Sequence, residues 1–138
     1  MKKRRDVRRL AMQVLYQIDV GAQSESTVLA DSLDQEFDPP DVRAEALELA
    51  LAAWQRRAVA DQFLSELAQD WPTHRQPPVD RAILRLAYYE ITSGHAPVKV
   101  AINEAVELAK QYSSEQSPAF INGVLDKIVS KVHTDVTQ

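Results

Sequence analysis

Apolar positions recur at helical spacing along almost the whole chain, and no stretch alternates in the manner of a half-buried strand. The clearest block is APVKVAINEAVELAKQYSSEQSPAFINGVLDKI, from Ala96 to Ile128. Pro97 suits a first helical position, where a missing N–H costs nothing. Val98, Ala101, Ile102, Ala105, Val106, Leu108, Ala109 and Tyr112 then share one face, with Lys99, Asn103, Glu107, Lys110 and Gln111 on the other. The polar break Ser113-Ser114-Glu115-Gln116 leads into a second helix, with Ser117 as its N-cap and Pro118 as its first residue. Phe120, Ile121, Val124, Leu125, Ile128 and Val132 form its apolar stripe, backed by Asn122, Gly123, Asp126 and Ser130. Glycine in mid-helix costs about 1 kcal/mol relative to alanine, so Gly123 points to close approach by another helix or a ligand.

The upstream half repeats the pattern. A first helix, about Asp6 to Val20, buries Val7, Leu10, Ala11, Val14, Leu15 and Ile18. At 100° per residue, Arg5, Arg8, Arg9, Met12, Gln13 and Tyr16 gather on its other side. After Gly21, Ser24 or Ser26 can cap a short helix with Val28, Leu29, Leu33 and Phe37 inward. Pro39-Pro40-Asp41 turns the chain into a third helix, about Val42 to Gln55, whose stripe reads Ala46, Leu47, Ala50, Leu51 and Trp54. A fourth, about Ala58 to Gln69, offers Phe63, Leu64 and Leu67. Arg56-Arg57 sits beside a helix C-terminus, where positive charge is favourable, and no binding role is needed to explain it.

The irregular link from Trp71 to Pro78 divides the chain into halves of about 1–71 and 77–133 within one domain spanning 1–138. Trp71 is expected to pack over the seam and His74 to be a solvated loop residue. A fifth helix, about Val79 to Ser93, turns Ile83, Leu86, Ala87 and Ile91 inward and leaves Arg81, Arg85, Tyr88 and Tyr89 for a wet or partner-facing side. Two adjacent tyrosines cannot share one face, so at least one packs inward. Gly94 ends the helix in the left-handed region. The expected class is all-α, with about seven helices.

Composition alters this picture at one point. The net charge of −4 argues weakly against nucleic acid, but its distribution is uneven. Residues 1–9 carry Lys2, Lys3, Arg4, Arg5, Arg8 and Arg9 against Asp6, leaving ten basic and nineteen acidic groups, a balance of −9, for the remainder. A basic head on an acidic body is a local electrostatic footprint, offering guanidinium forks for phosphates and, at Tyr16, a ring for stacking. The structural alternative is a solvated helix face. With no Cys there is no disulfide or thiolate metal site, which suits a reducing cytoplasm. No apolar run reaches membrane-spanning length, and the basic start lacks the apolar region of a secretory signal. His74, His95 and His133 lack metal-ligand spacing, and there is no phosphate-binding glycine loop or recognisable nucleophile setting. Asp80, at a helix start, reads as a cap or dipole partner rather than a base. Neither catalysis nor a metal or cofactor is expected.

The strings VAINEAVELAK and SPAFINGVLDKI resemble the C-terminal half of the NusB family of bacterial antitermination factors. PPVDRAILRLAYYEI (Pro77 to Ile91) and RRLAMQVLYQID (Arg8 to Asp19) fit the same family in its order, while about Gly21 to Arg75 matches only in helical pattern. The resemblance implies two three-helix bundles sharing a core, and cytoplasmic transcription antitermination without chemistry. It implies binding of boxA-type single-stranded RNA together with NusE, a small-subunit ribosomal protein, and assembly on elongating RNA polymerase with other Nus factors. Lys2, Lys3, Arg4, Arg5, Arg8 and Arg9 become RNA-binding candidates, with Gln13 and Tyr16 adding hydrogen bonding and stacking. The turn opening the last helix contributes Gln116, Ser117 and Phe120, where core packing is the alternative for Phe120. Asp80, Arg81 and Tyr88 are candidates for the NusE surface. Two departures stand out: many relatives carry glycine at Ala52 and a basic residue at Ala119. The second removes one phosphate contact, implying weaker RNA binding or greater reliance on the partner. Some members self-associate through the RNA surface, so a homodimer stays open. The rival readings are an RNA-targeting module like those that begin some ribosomal RNA methyltransferases, and a helical protein-binding adaptor that ignores RNA.

Overall fold

The computed structural model describes residues 2–21, 39–68 and 75–137. Among them every regular element is a helix: α1 (Lys2–Gly21), α2 (Pro40–Gln55), α3 (Arg57–Leu67), α4 (Pro78–Ser93), α5 (Val98–Tyr112) and α6 (Ser117–Thr137). The all-α expectation holds, with six described helices rather than about seven. The short helix expected between Ser24 and Phe37 lies outside the described residues, as do Trp71, His74 and the side chains of Lys2, Lys3, Val132 and His133.

Prolines set three of the helix starts. Pro39, Pro77 and Pro97 are the caps of α2, α4 and α5, with φ of −58°, −55° and −58° and ψ of 146°, 141° and 142°. A proline φ of this size with extended ψ brings the chain in straight and then releases it into a helix. Pro97 is thus one residue outside α5, not its first residue. Gly94 ends α4 at φ 73°, and the N–H groups of His95 and Ala96 both return to the Glu90 carbonyl at 3.1 and 3.4 Å. Only a residue without Cβ strain makes that closure cheaply.

The core is organised around α4, which packs against each of the other five helices. Ala82 through Tyr88 are all buried without a break, so the helix is enclosed on nearly every side. Leu84 of α4 meets a core that also contains Leu10 and Leu15 of α1, Leu64 of α3, and Ile121, Leu125 and Ile128 of α6. Each such side chain contributes about 1.5–3 kcal/mol by leaving water. α1 lies mainly along α2 and α4, whereas α5 lies along α6 and α4.

Enclosure of α4 corrects several expectations. Tyr88 is not on a wet face; it is buried, with its ring centroid 5.6 Å from that of Phe63. Tyr89 is half-buried. Arg85 is buried as well, because its guanidinium is neutralised by two aspartates from other helices. On α2 the buried face is Val42, Ala46, Leu49, Ala50 and Ala53, rotated from the stripe expected, with Leu47, Leu51 and Trp54 half-buried. The run LALAAW is apolar nearly all round, so periodicity alone does not set its phase. Val98 and Tyr112, at the two ends of α5, are exposed. Gly123 faces solvent, and a Cβ there would meet nothing within 4 Å, so no helix among the described residues approaches it.

Gly94 and Gly123 should therefore respond oppositely to alanine. Gly94→Ala forces a side chain into the left-handed region and should cost about 1–2 kcal/mol. Gly123→Ala adds a strain-free Cβ in mid-helix and should stabilise by about 0.5–1 kcal/mol. Urea unfolding of both variants reads the difference; loss of stability in Gly123→Ala would show that something does press against that face.

Candidate nucleic-acid interface

The first turn of α1 carries cations and no acidic residue. A helix N-terminus already holds about half a positive charge from its unsatisfied N–H groups, so clustered arginines there oppose the macrodipole. Such a turn is electrostatically incomplete and suits a polyanion. Arg4 and Arg5 are exposed, and Arg9 is half-buried. Arg5 Nε donates to Glu104 Oε1 at 3.1 Å, with the arginine side chain 69% accessible, and Arg9 lies 3.7 Å from Asp6. A largely solvated pair such as Arg5–Glu104 contributes about 0–1 kcal/mol, so a phosphate exchanges for that carboxylate at little cost.

Arg8 belongs to a different environment. The helical wheel puts it outside with Met12, yet both are buried. Its Nε donates to both Glu90 carboxylate oxygens at 3.1 Å, and the pair is 6% and 2% accessible. His95 Nδ1 stands 3.3 Å from Glu90 Oε2; a carboxylate only accepts, so that nitrogen carries the proton. Arg8 thereby joins α1 to α4 and to the turn after it, and is a structural cation rather than a ready phosphate ligand. Wheel geometry missed this because Glu90 lies 82 residues away in sequence.

A second clamp holds the other end of α1. Arg81 donates to Asp19 at 2.6 Å, and Arg85 grips Asp61 of α3 through Nε and Nη2 at 2.8 and 2.6 Å, with Asp19 3.5 Å from its Nη1. Burial pulls the Arg85 pKa down most strongly, but hydrogen bonding and charge from Asp61 and Asp19 together outweigh it and raise the pKa above its ordinary value. Arg57 stacks on Trp54 with its guanidinium carbon 3.9 Å from the ring centroid, and donates to the Trp54 carbonyl at 2.8 Å.

The partner-facing set Asp80, Arg81 and Tyr88 is not a surface in this fold. Tyr88 is core, and Arg81 is committed to Asp19 and to the Gln76 carbonyl at 3.3 Å. Asp80 is fully buried and accepts hydroxyls from Ser113 and, at 2.8 Å, from Ser117. Ser117 also lies 2.9 and 2.8 Å from the hydroxyls of Ser113 and Ser114. Ser117 thus spends its hydroxyl across the helix junction, and buried Ser117 tethers the turn rather than presenting itself to a ligand. Of that turn Gln116 and Ala119 are exposed, while Phe120 is half-buried against the core. Gln13 and Tyr16 are also half-buried, with Tyr16 packed on the core.

Arg5 reaches α5 at Glu104, and eight residues later α5 ends at Tyr112, roughly 12 Å along its axis. The two candidate patches therefore flank one helix. Among the described residues no cluster of His, Cys, Asp or Glu is placed to hold a metal ion, and no helix is long and apolar enough to cross a membrane.

The family model for the NusB family matches residues 5–130. A transcription antitermination protein NusB from Roseiflexus sp. (strain RS-1) is 41% identical over 131 residues, covering 93% of this chain and 92% of the relative. The solved structure of T. maritima NusB superposes with a TM-score of 0.81 at 31% identity, covering 92% of this chain and 90% of that one. A structure of the antitermination factors NusB and NusE in complex with dsRNA shares the fold at a TM-score of 0.83 and 23% identity, covering 95% and 98%.

Glu90→Ala should strand the Arg8 cation and cost about 3–5 kcal/mol in urea unfolding, whereas pairing Arg8→Met with Glu90→Leu should recover most of that loss. A single-variant loss under about 1 kcal/mol would mean that water screens the pair.

Proposed function

The chain belongs to the NusB family, and from that premise we propose that it is a transcription antitermination factor, not an enzyme. It binds boxA-type single-stranded RNA of nascent ribosomal transcripts with NusE, in the cytoplasm, and assembles on elongating RNA polymerase with other Nus factors. The observation that carries this reading is the all-basic first turn of α1, set against the helix dipole and held by weak, exchangeable ion pairs. The fold shared with a NusB solved alongside NusE and dsRNA supports the choice of partners.

Within this reading Lys2, Lys3, Arg4, Arg5 and Arg9 hold phosphates, and Gln13, Tyr16, Gln116 and Phe120 contact sugar or bases. Arg8 and Ser117 act through the elements they anchor. NusE docks on the half that contains α4, α5 and α6, but not through Asp80 or Tyr88. The packing of α1 with α2, and of α5 with α6 and α4, supports two bundles sharing one core.

Arg4, Arg5 and Arg9 changed together to Ala should weaken binding of a labelled boxA-type RNA on the order of a hundredfold near 0.1 M salt and flatten the log–log salt slope by roughly 2. Addition of cognate NusE should tighten the wild-type complex. If RNA is ignored with and without NusE, the chain is instead a protein-binding helical adaptor. Ala119→Lys, at an exposed position beside the second patch, should tighten binding about fivefold at the same salt by adding one phosphate contact. An unchanged affinity would place the RNA path away from the start of α6.

A further inference from the structure

Beside the basic turn, two adjoining cavities of about 260 and 280 Å³ lie between α1, α2 and the turn after α4. They share Val7, Glu45, Leu49 and His95; Arg4 and Arg8 complete one, and Glu48, Ala52 and Tyr89 the other. The lining changes character from cationic at the α1 end to apolar and aromatic in the middle, with carboxylates along α2. The Tyr89 and His95 ring centroids stand 6.5 Å apart.

We propose that this cleft receives one unstacked guanine base of the bound RNA, an inference that rests on the RNA-binding reading above. The size suits a single base rather than a folded peptide. The mouth is continuous with the phosphate-binding turn, because Arg4 belongs to both. Two carboxylates repel a phosphate, so the backbone is kept on the arginine side while the neutral base points inward. Inside, Val7, Leu49 and Ala52 offer apolar contact, and Tyr89 and His95 offer ring faces for stacking. A carboxylate accepts two N–H groups at once. Guanine presents two adjacent donors on its Watson–Crick edge, whereas each other base sets at most one donor beside an acceptor. Glu48 is the specificity-determining side chain, and the Arg8–Glu90–His95 linkage holds the two walls in register.

The test uses the full chain and a boxA-type oligonucleotide, together with copies in which each nucleotide in turn is made abasic and each guanosine is replaced by inosine. Ala52→Leu, which fills the half-buried floor, and Glu48→Gln, an exposed and structurally mild change, are compared with wild type, with circular dichroism checking the fold. In wild type, one guanosine should cost roughly tenfold in affinity when abasic. Inosine there lacks the amino donor and should cost several-fold. In Ala52→Leu the intact RNA should bind roughly tenfold more weakly, and the abasic change should then cost nothing further. Glu48→Gln should remove the guanosine–inosine difference. If both variants bind intact RNA as wild type does, or if no single position stands out, the cleft holds no base. The Arg4, Arg5 and Arg9 variant then reports separately: its continued collapse keeps the RNA reading, and its indifference overturns that too.

Discussion

Two carboxylate–guanidinium clamps, one buried and one partly buried, fix how α1 lies on α4, and the exposed chemistry depends on them. Arg8 near one end of α1 is held by Glu90, and Asp19 near the other by Arg81 and Arg85. The anchor points are eleven residues apart, roughly 16 Å of helix, so α1 has little freedom to roll about its axis. A buried charge without its partner costs several kcal/mol, which makes a rolled or slipped arrangement expensive even where apolar packing would tolerate it. Arg4 and Arg5 lie about one turn before Arg8 on the same side of the helix, and there they stay exposed while Arg8 is buried.

That orientation turns an uneven charge distribution into a surface. Cations in the first turn of a helix are unfavourably placed in isolation, and their neighbours Glu104 and Asp6 offset them only weakly because the pairs are wet. On the proposed reading, a phosphate chain would satisfy the same donors and release counterions, concentrating affinity at a small part of an otherwise acidic protein. The acidic remainder would repel phosphates elsewhere on the surface. Specific recognition must then come from rings, carboxylates and amide groups next to the arginines.

The junction between α5 and α6 is built on a similar logic with neutral donors. Asp80, fully buried in the first turn of α4, is satisfied by the hydroxyls of Ser113 and Ser117. A carboxylate in that place benefits from the helix dipole and ties a distant turn to α4. Gln116 is therefore exposed, and Phe120 half-buried, on a turn that is already ordered.

Helix existence, the all-α class and most boundaries were legible from the chain because they follow from local rules: periodicity of 3.6, proline at helix starts, and Gly94 at a helix end. The basic head was legible as charge, and the family from four motifs in order. What periodicity missed were facts about distant partners. Arg8, Asp80, Arg85 and Tyr88 each look polar and solvent-facing on a wheel, yet tertiary packing encloses α4 on nearly every side and supplies each with a partner from another element. The phase of α2 was ambiguous for the opposite reason, being apolar nearly all round. Gly123 suggested a close neighbour that none of the described residues provides. Sequence by itself determined which segments are helices and where charge accumulates, since backbone sterics and spacing act within a few residues. Tertiary structure decided which arginines are buried cations and which remain for a ligand, because a charge can leave water only where another part of the chain brings its counter-charge.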